Sequence, residues 1–167
     1  MALQLFKIET VEVASPVSSI TFSNIPQGYT DLIVKFSIRF DLPYDAANVN
    51  LRFNSDSASN YSIRRIKGSG TSLVSDSASG TSMTINYGAG NNLTANTFSS
   101  ADIYIPNYTG STYKSLTADI VTENYASAAY TVSQAGLWTN TAAITNISLG
   151  CDGNWVANST ATLYGVL

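Results

Sequence analysis

Asp31-Leu32-Ile33-Val34-Lys35-Phe36-Ser37-Ile38-Arg39-Phe40-Asp41 is the most legible run in the chain. Leu32, Val34, Phe36, Ile38 and Phe40 fall on one parity. Lys35, Ser37, Arg39 and Asp41 fall on the other, and Ile33 alone breaks the alternation. Side chains of an extended chain point alternately up and down, so the run spells a strand with one buried face. Val49, Leu51 and Phe53, set against Asn50, Arg52 and Asn54, repeat the logic. Pro43 lies between the two runs, where a missing N–H marks the connection.

Working outward, the same period of two recurs in both directions. Leu5–Val13 and Val17–Phe22 precede it. Tyr61–Ile66, Met83–Tyr87, Ala101–Ile105, Leu116–Ile120 and Tyr130–Trp138 follow it. A shorter strand holds Ile144, Ile147 and Leu149, and Thr160–Val166 closes the chain, for about ten strands in all. Turn chemistry separates them: Asn54–Asn60, Gly68-Ser69-Gly70, Gly88–Asn92, Asn107–Gly110 and Asp152-Gly153-Asn154. Segment 68–82 has only Leu73, Val74 and alanine as apolar residues, and reads as a long loop rather than an edge hairpin. The best helical stretch, Tyr125–Ala129, is too short to matter. Many short strands between regular turns predict an all-β chain, an antiparallel β-sandwich of jelly-roll type. An immunoglobulin-like sandwich is the alternative, but it typically needs about 100 residues. Residues 16–167 read as one domain, and residues 1–15 as either an N-terminal arm or its first strand.

Composition narrows the chemistry. The 167 residues hold 8 Lys+Arg, 11 Asp+Glu, one Cys and no His, for a net charge of -3. Every mechanism that needs imidazole is excluded, as are Cys/His zinc sites and an intrachain disulfide. The acidic balance argues against a nucleic-acid partner. Charge gives way to 41 Ser and Thr and 15 Asn, a polar but nearly neutral surface. No apolar run approaches the ~20 residues that span a membrane. Met1–Lys7 lacks the pattern of a secretory signal, so the expectation is synthesis in the cytoplasm, and the five Asn-x-Ser/Thr sequons read as chance.

Candidate sites are correspondingly few. Asp41, Asp45, Asp56, Asp76 and Asp152 adjoin turns and read as caps rather than as a hydrolytic pair. Lys7, Lys35, Lys67 and Lys114 are the only amine bases for a Ser or Thr nucleophile. Asn54–Asp56 and Asp41–Asp45 offer oxygen ligands without calcium-loop spacing, so neither a metal nor a cofactor is expected. Arg64, Arg65 and Lys67 form the one basic cluster, read as a charged edge strand. Cys151 reads as a buried, unreactive thiol. Aromatics are the surplus. Tyr44, Tyr108, Tyr113, Tyr125 and Trp155 stand beside turns, where large rings suit an interface. Phe6, Ile8, Val11 and Val13 could add a strand to a neighbour or pair at home.

Several phrases share an order that is familiar: Ser18–Leu32, Leu51-Arg52-Phe53-Asn54 with Asn60-Tyr61-Ser62, Ala101–Tyr108, Ala135–Thr145 and Ser159–Gly165. Together they resemble a family of tailed-phage virion structural proteins, over about residues 16–166. The resemblance implies a jelly-roll module on the outer surface of a phage capsid, made in the host cytoplasm. It implies a non-enzymatic cement or decoration protein, homotrimeric, with the major capsid protein as partner. The alternative it leaves is a receptor- or glycan-binding module of a tail or fibre, with a host glycan as ligand. A polysaccharide-degrading enzyme is the weakest reading, since the chain is small and has no histidine.

Overall fold

The computed structural model describes residues 4–125 and 129–167. Residues 1–3, and 126–128 of the short helical candidate, lie outside the described residues. The rest is all-β, with twelve antiparallel strands in two sheets and no helix among the described residues. The strands are β1 (Leu5–Glu12), β2 (Val17–Phe22), β3 (Asp31–Ile38), β4 (Ala46–Phe53), β5 (Tyr61–Gly68) and β6 (Leu73–Gly80). They continue as β7 (Met83–Ala89), β8 (Ser99–Ile105), β9 (Lys114–Thr122), β10 (Tyr130–Trp138), β11 (Ile147–Trp155) and β12 (Thr160–Val166). The large sheet runs β1-β12-β3-β8-β9-β10-β5-β6 and the small one β2-β11-β4-β7.

Alternation builds the sandwich. Leu32, Val34, Phe36 and Ile38 of β3 point inward, as do Val49, Leu51 and Phe53 of β4. They meet Ile20 and Phe22 of β2, Met83 and Ile85 of β7 and Leu116, Ala118 and Ile120 of β9 in one core. Gly136 of β10 lets the sheets approach: a Cβ there would run into the sulfur of Met83. Two rings, Trp138 and Trp155, fill opposite regions of the interior. Trp138 packs on Phe53 and Tyr61, and Trp155 on Phe36 and Phe40.

Three expectations change, and one open alternative is decided. Segment 68–82 is not a loop but a hairpin, β6 pairing with β5 over eight consecutive residues. It carries no apolar alternation because almost every residue of β6 is exposed on both faces. The N-terminal segment is the domain's own first strand: β1 pairs with β12 from Leu5↔Val166 to Glu12↔Thr160. Ile144 is buried but precedes β11 rather than lying in it. Arg39, assigned by parity to the polar face, is buried. At Arg39 and Phe40 the chain leaves the large sheet, bridging to Ala89 and Trp155, so strand parity no longer decides where the side chain points.

Candidate interaction surface

Register aligns residues that are far apart in sequence. Tyr104 of β8 stands opposite Thr117 of β9, and Thr117 opposite Ala135 of β10. Ala135 stands opposite Arg64 of β5, and Arg64 opposite Ser77 of β6. These five form one row across the outer face of the large sheet. Ile33, the residue that broke the alternation, extends the row between Tyr104 and Tyr164. The next row carries Lys35, Asp102, Asp119, Ser133, Ile66 and Ser75.

Small side chains in the middle of these rows leave a depression. A trough of about 630 Å³ is lined by Arg64, Ile66, Ser75, Ser77, Thr117, Ser133 and Ala135, together with Gln134 and the ion-paired Arg65 and Asp76 of the other parity. A second hollow of about 250 Å³, with Tyr104, Pro106 and Ser115, shares Thr117 and Ala135 with it. The two adjoin at Thr117 and Ala135. Tyr104 is held at one end by its hydroxyl, which donates to Asp31 Oδ2 at 2.6 Å. At the other end Arg64 donates from Nη1 to the Ile63 carbonyl at 2.8 Å. No carboxylate pairs with Arg64 among the described residues, whereas Arg65, on the opposite face, pairs with Asp76 at 2.6 Å. The basic cluster is thus split: one arginine is neutralised and the other is free.

The four sheet edges differ in protection. β1 carries a bulge at Ile8 and the charges of Lys7, Glu9 and Glu12. β2 follows Pro16, and its partner β11 slips register. β7 bulges where Asn86 and Tyr87 together oppose Asn48, with Tyr87 at φ 74°. Bulges, charges and prolines are the devices that keep edges from pairing with other chains. β6 has neither a bulge nor a proline. Its pairing is unbroken, its one charge is taken by Arg65, and Leu73 is 77% exposed.

The aromatic candidates divide. Tyr44, Tyr113 and Tyr125 are exposed, Tyr125 completely. Tyr108 and Trp155 are fully buried, so the interface reading fails for both rings. Tyr108 closes a corner by donating its hydroxyl to the Pro26 carbonyl. Phe6 remains partly exposed and stacks on Tyr29 at 5.9 Å between ring centres. Ile8 and Val11 are half-buried against the core. Cys151 is half-buried rather than buried, its thiol pushed up in pKa mainly by desolvation.

Most other polar groups singled out above hold the fold together. The carboxylate of Asp56 accepts from Trp138 Nε1 at 2.8 Å, Asn60 Nδ2 at 2.9 Å and the Ala58 amide at 2.9 Å. These donors, the Asn60 amide first, hold its pKa below the usual carboxylate value. Asp41 is lowered in the same way by the side chain and then the backbone of Asn154. Lys114 is buried and donates to the carbonyls of Gly110 and Thr112 at 2.7 and 2.6 Å, and burial lowers its pKa. Arg39 donates to four carbonyls of the loop before β8: Asn91, Leu93, Thr94 and Thr97, at 2.9 to 3.3 Å. Nothing local to Arg39 marks that role, since the partners lie more than 50 residues away.

No group of three or more potential metal-ligating side chains occurs among the described residues. No helix among them is long and apolar enough to cross a membrane. Neither a comparison with known protein families nor one with curated proteins finds a match for the chain.

Proposed function

We propose that the chain is a non-enzymatic phage virion structural protein, a capsid cement protein that binds the outer surface of the assembled head as a homotrimer. The observation that carries the reading is the unprotected edge of β6. An unbroken edge strand with one side of its backbone unpaired and with exposed Leu73 and Val74 is a template for another chain. On the cement reading it is covered in the particle, by a neighbouring copy or by the major capsid protein. The resemblance of the chain's strand-and-turn phrases to tailed-phage virion proteins supports the same assignment. The nearly neutral, hydroxyl-rich surface suits close packing against other proteins at high local concentration.

The jelly-roll topology belongs to this proposal. The small sheet has the order of one jelly-roll sheet, its four members being first, last, third and sixth in a series that starts at β2 and ends at β11. The large sheet gives the complementary order if β8 and β9 are an inserted hairpin and β1 and β12 an addition at the edge.

A protein that binds only the assembled shell stabilises it by RT ln(1 + [L]/Kd) per site. Three linked subunits add avidity, so each contact can be weak. The test is removal: particles lacking this protein should break at lower temperature and milder osmotic shock, and the purified protein added back should restore them. Equal fragility with and without it would reject the assignment.

A further inference from the structure

The geometry points to a second role: we propose that the trough on the outer face of the large sheet binds an acidic oligosaccharide, with Arg64 taking its carboxylate and Tyr104 its ring face. The proposal does not depend on where the protein sits on a particle.

Three features select this ligand class. The first is the spacing of the row. Three strand intervals separate Tyr104 from Arg64, roughly 14 Å at the usual strand spacing, with only Thr117 and Ala135 between them. That is the reach of a short oligosaccharide, not of a single small anion. The second is the lining. Ser75, Ser77, Thr117 and Ser133 offer hydroxyls that donate or accept, and exposed Ile66 and the Tyr104 ring offer apolar faces for the C–H side of a pyranose. The Tyr104–Asp31 hydrogen bond fixes that ring in advance. The third is charge. Arg64 is a fork that matches a carboxylate, and no acid among the described residues forms an ion pair with it.

The same observations weigh against other occupants. Asp102 and Asp119 stand in the adjacent row, so a polymer with a phosphate at every residue is repelled along its length. A carboxylate confined to the Arg64 end is not. An extended peptide gains no ladder here, because β5, β9 and β10 are paired on both sides. The ligand must bring hydroxyls of its own.

The test is a titration of the full chain with a trisaccharide that carries a single terminal glucuronate on a neutral disaccharide, followed by amide chemical shifts, with maltotriose as the neutral control and a Glu-rich peptide as the competing class. The uronate should shift amides in β5, β9 and β10 around Arg64, Thr117 and Ala135, and maltotriose should bind at least tenfold more weakly. Arg64→Gln should weaken uronate binding at least tenfold. Ala135→Trp, which fills the floor from an exposed position, should abolish it. Both variants should keep the parent's circular dichroism and melting temperature, and if one fails to fold the other decides. Absence of shifts with the uronate, unchanged affinity in a folded variant, or tighter binding of the acidic peptide at the same amides would each overturn the assignment.

Discussion

Arg39 is a buried cation whose partners are carbonyls rather than an acid. Its guanidinium satisfies Asn91, Leu93, Thr94 and Thr97, and so folds the connection between β7 and β8 around one side chain. Replacing Arg39 with Met keeps much of the volume but strands those carbonyls, at roughly 1–3 kcal/mol for each that water cannot reach. Some will rehydrate, so the expected loss is about 2–4 kcal/mol, or roughly 4–16 °C in melting temperature for a chain of this size. Calorimetry of Arg39→Met against the parent measures it, and a change under 2 °C would mean that the loop holds itself. Asp56 makes a pH-dependent counterpart. Its folded pKa is depressed below the ordinary 3.8 by Asn60, Trp138 and Ala58. A depressed carboxylate contributes stability that is fully present above the unfolded pKa and is lost as pH falls through the folded one. Asp41 acts with the same sign. The parent should therefore lose stability as pH drops below about 3.8. Asp56→Asn should be less stable at pH 7 yet lose less in acid, which urea melts across pH 7 to 2.5 would read out.

At the level of elements, β1 and β6 are the two outer strands of the large sheet and behave oppositely. β1 is integral: Val11 and Ile8 pack on the core and Phe6 stacks on Tyr29. Deleting residues 1–12 should expose the β12 edge and lower the melting temperature by 10 °C or more, whereas a detachable arm would leave it unchanged. β6 adds little to the core, so Leu73→Lys together with Val74→Lys should leave the melting temperature within about 2 °C, as surface changes usually do. The pair should, however, abolish any concentration-dependent association seen by light scattering. This contrast also explains what the sequence could reveal. β3, β4 and β9 were legible because one face of each is buried and the period of two survives. β6 was not, because a strand exposed on both faces has no reason to alternate. Tyr108 and Trp155 were misplaced for a related reason: a ring beside a turn plugs a corner as readily as it faces a partner. The trough was out of reach, since Arg64, Ser77, Tyr104, Thr117 and Ala135 are brought together by register, and register is invisible along the chain.

For the whole molecule, the decisive feature is that the chain closes on itself. β12, the last strand, lies between β1, the first, and β3. Leu5 faces Val166, and Leu163 faces Val34 in the core. No early part of the chain can therefore complete the large sheet until the final residues are available. Non-local pairing of this kind makes folding slow, because loop closure is costly before any contact repays it. It also makes the sandwich one cooperative body rather than two halves. The intact chain should then show a single unfolding transition, with fluorescence of Trp138 and Trp155 and far-ultraviolet circular dichroism coinciding, because the two rings report opposite regions of one core. A chain ending at Asn158 removes Ala161, Leu163 and Val166 from the interior and leaves β1 and β3 without their shared neighbour. It should lose the cooperative transition entirely and aggregate, since two long strand edges are opened at once. A truncated chain that still melted sharply would show that β12 and β1 are an appendage to a smaller sandwich.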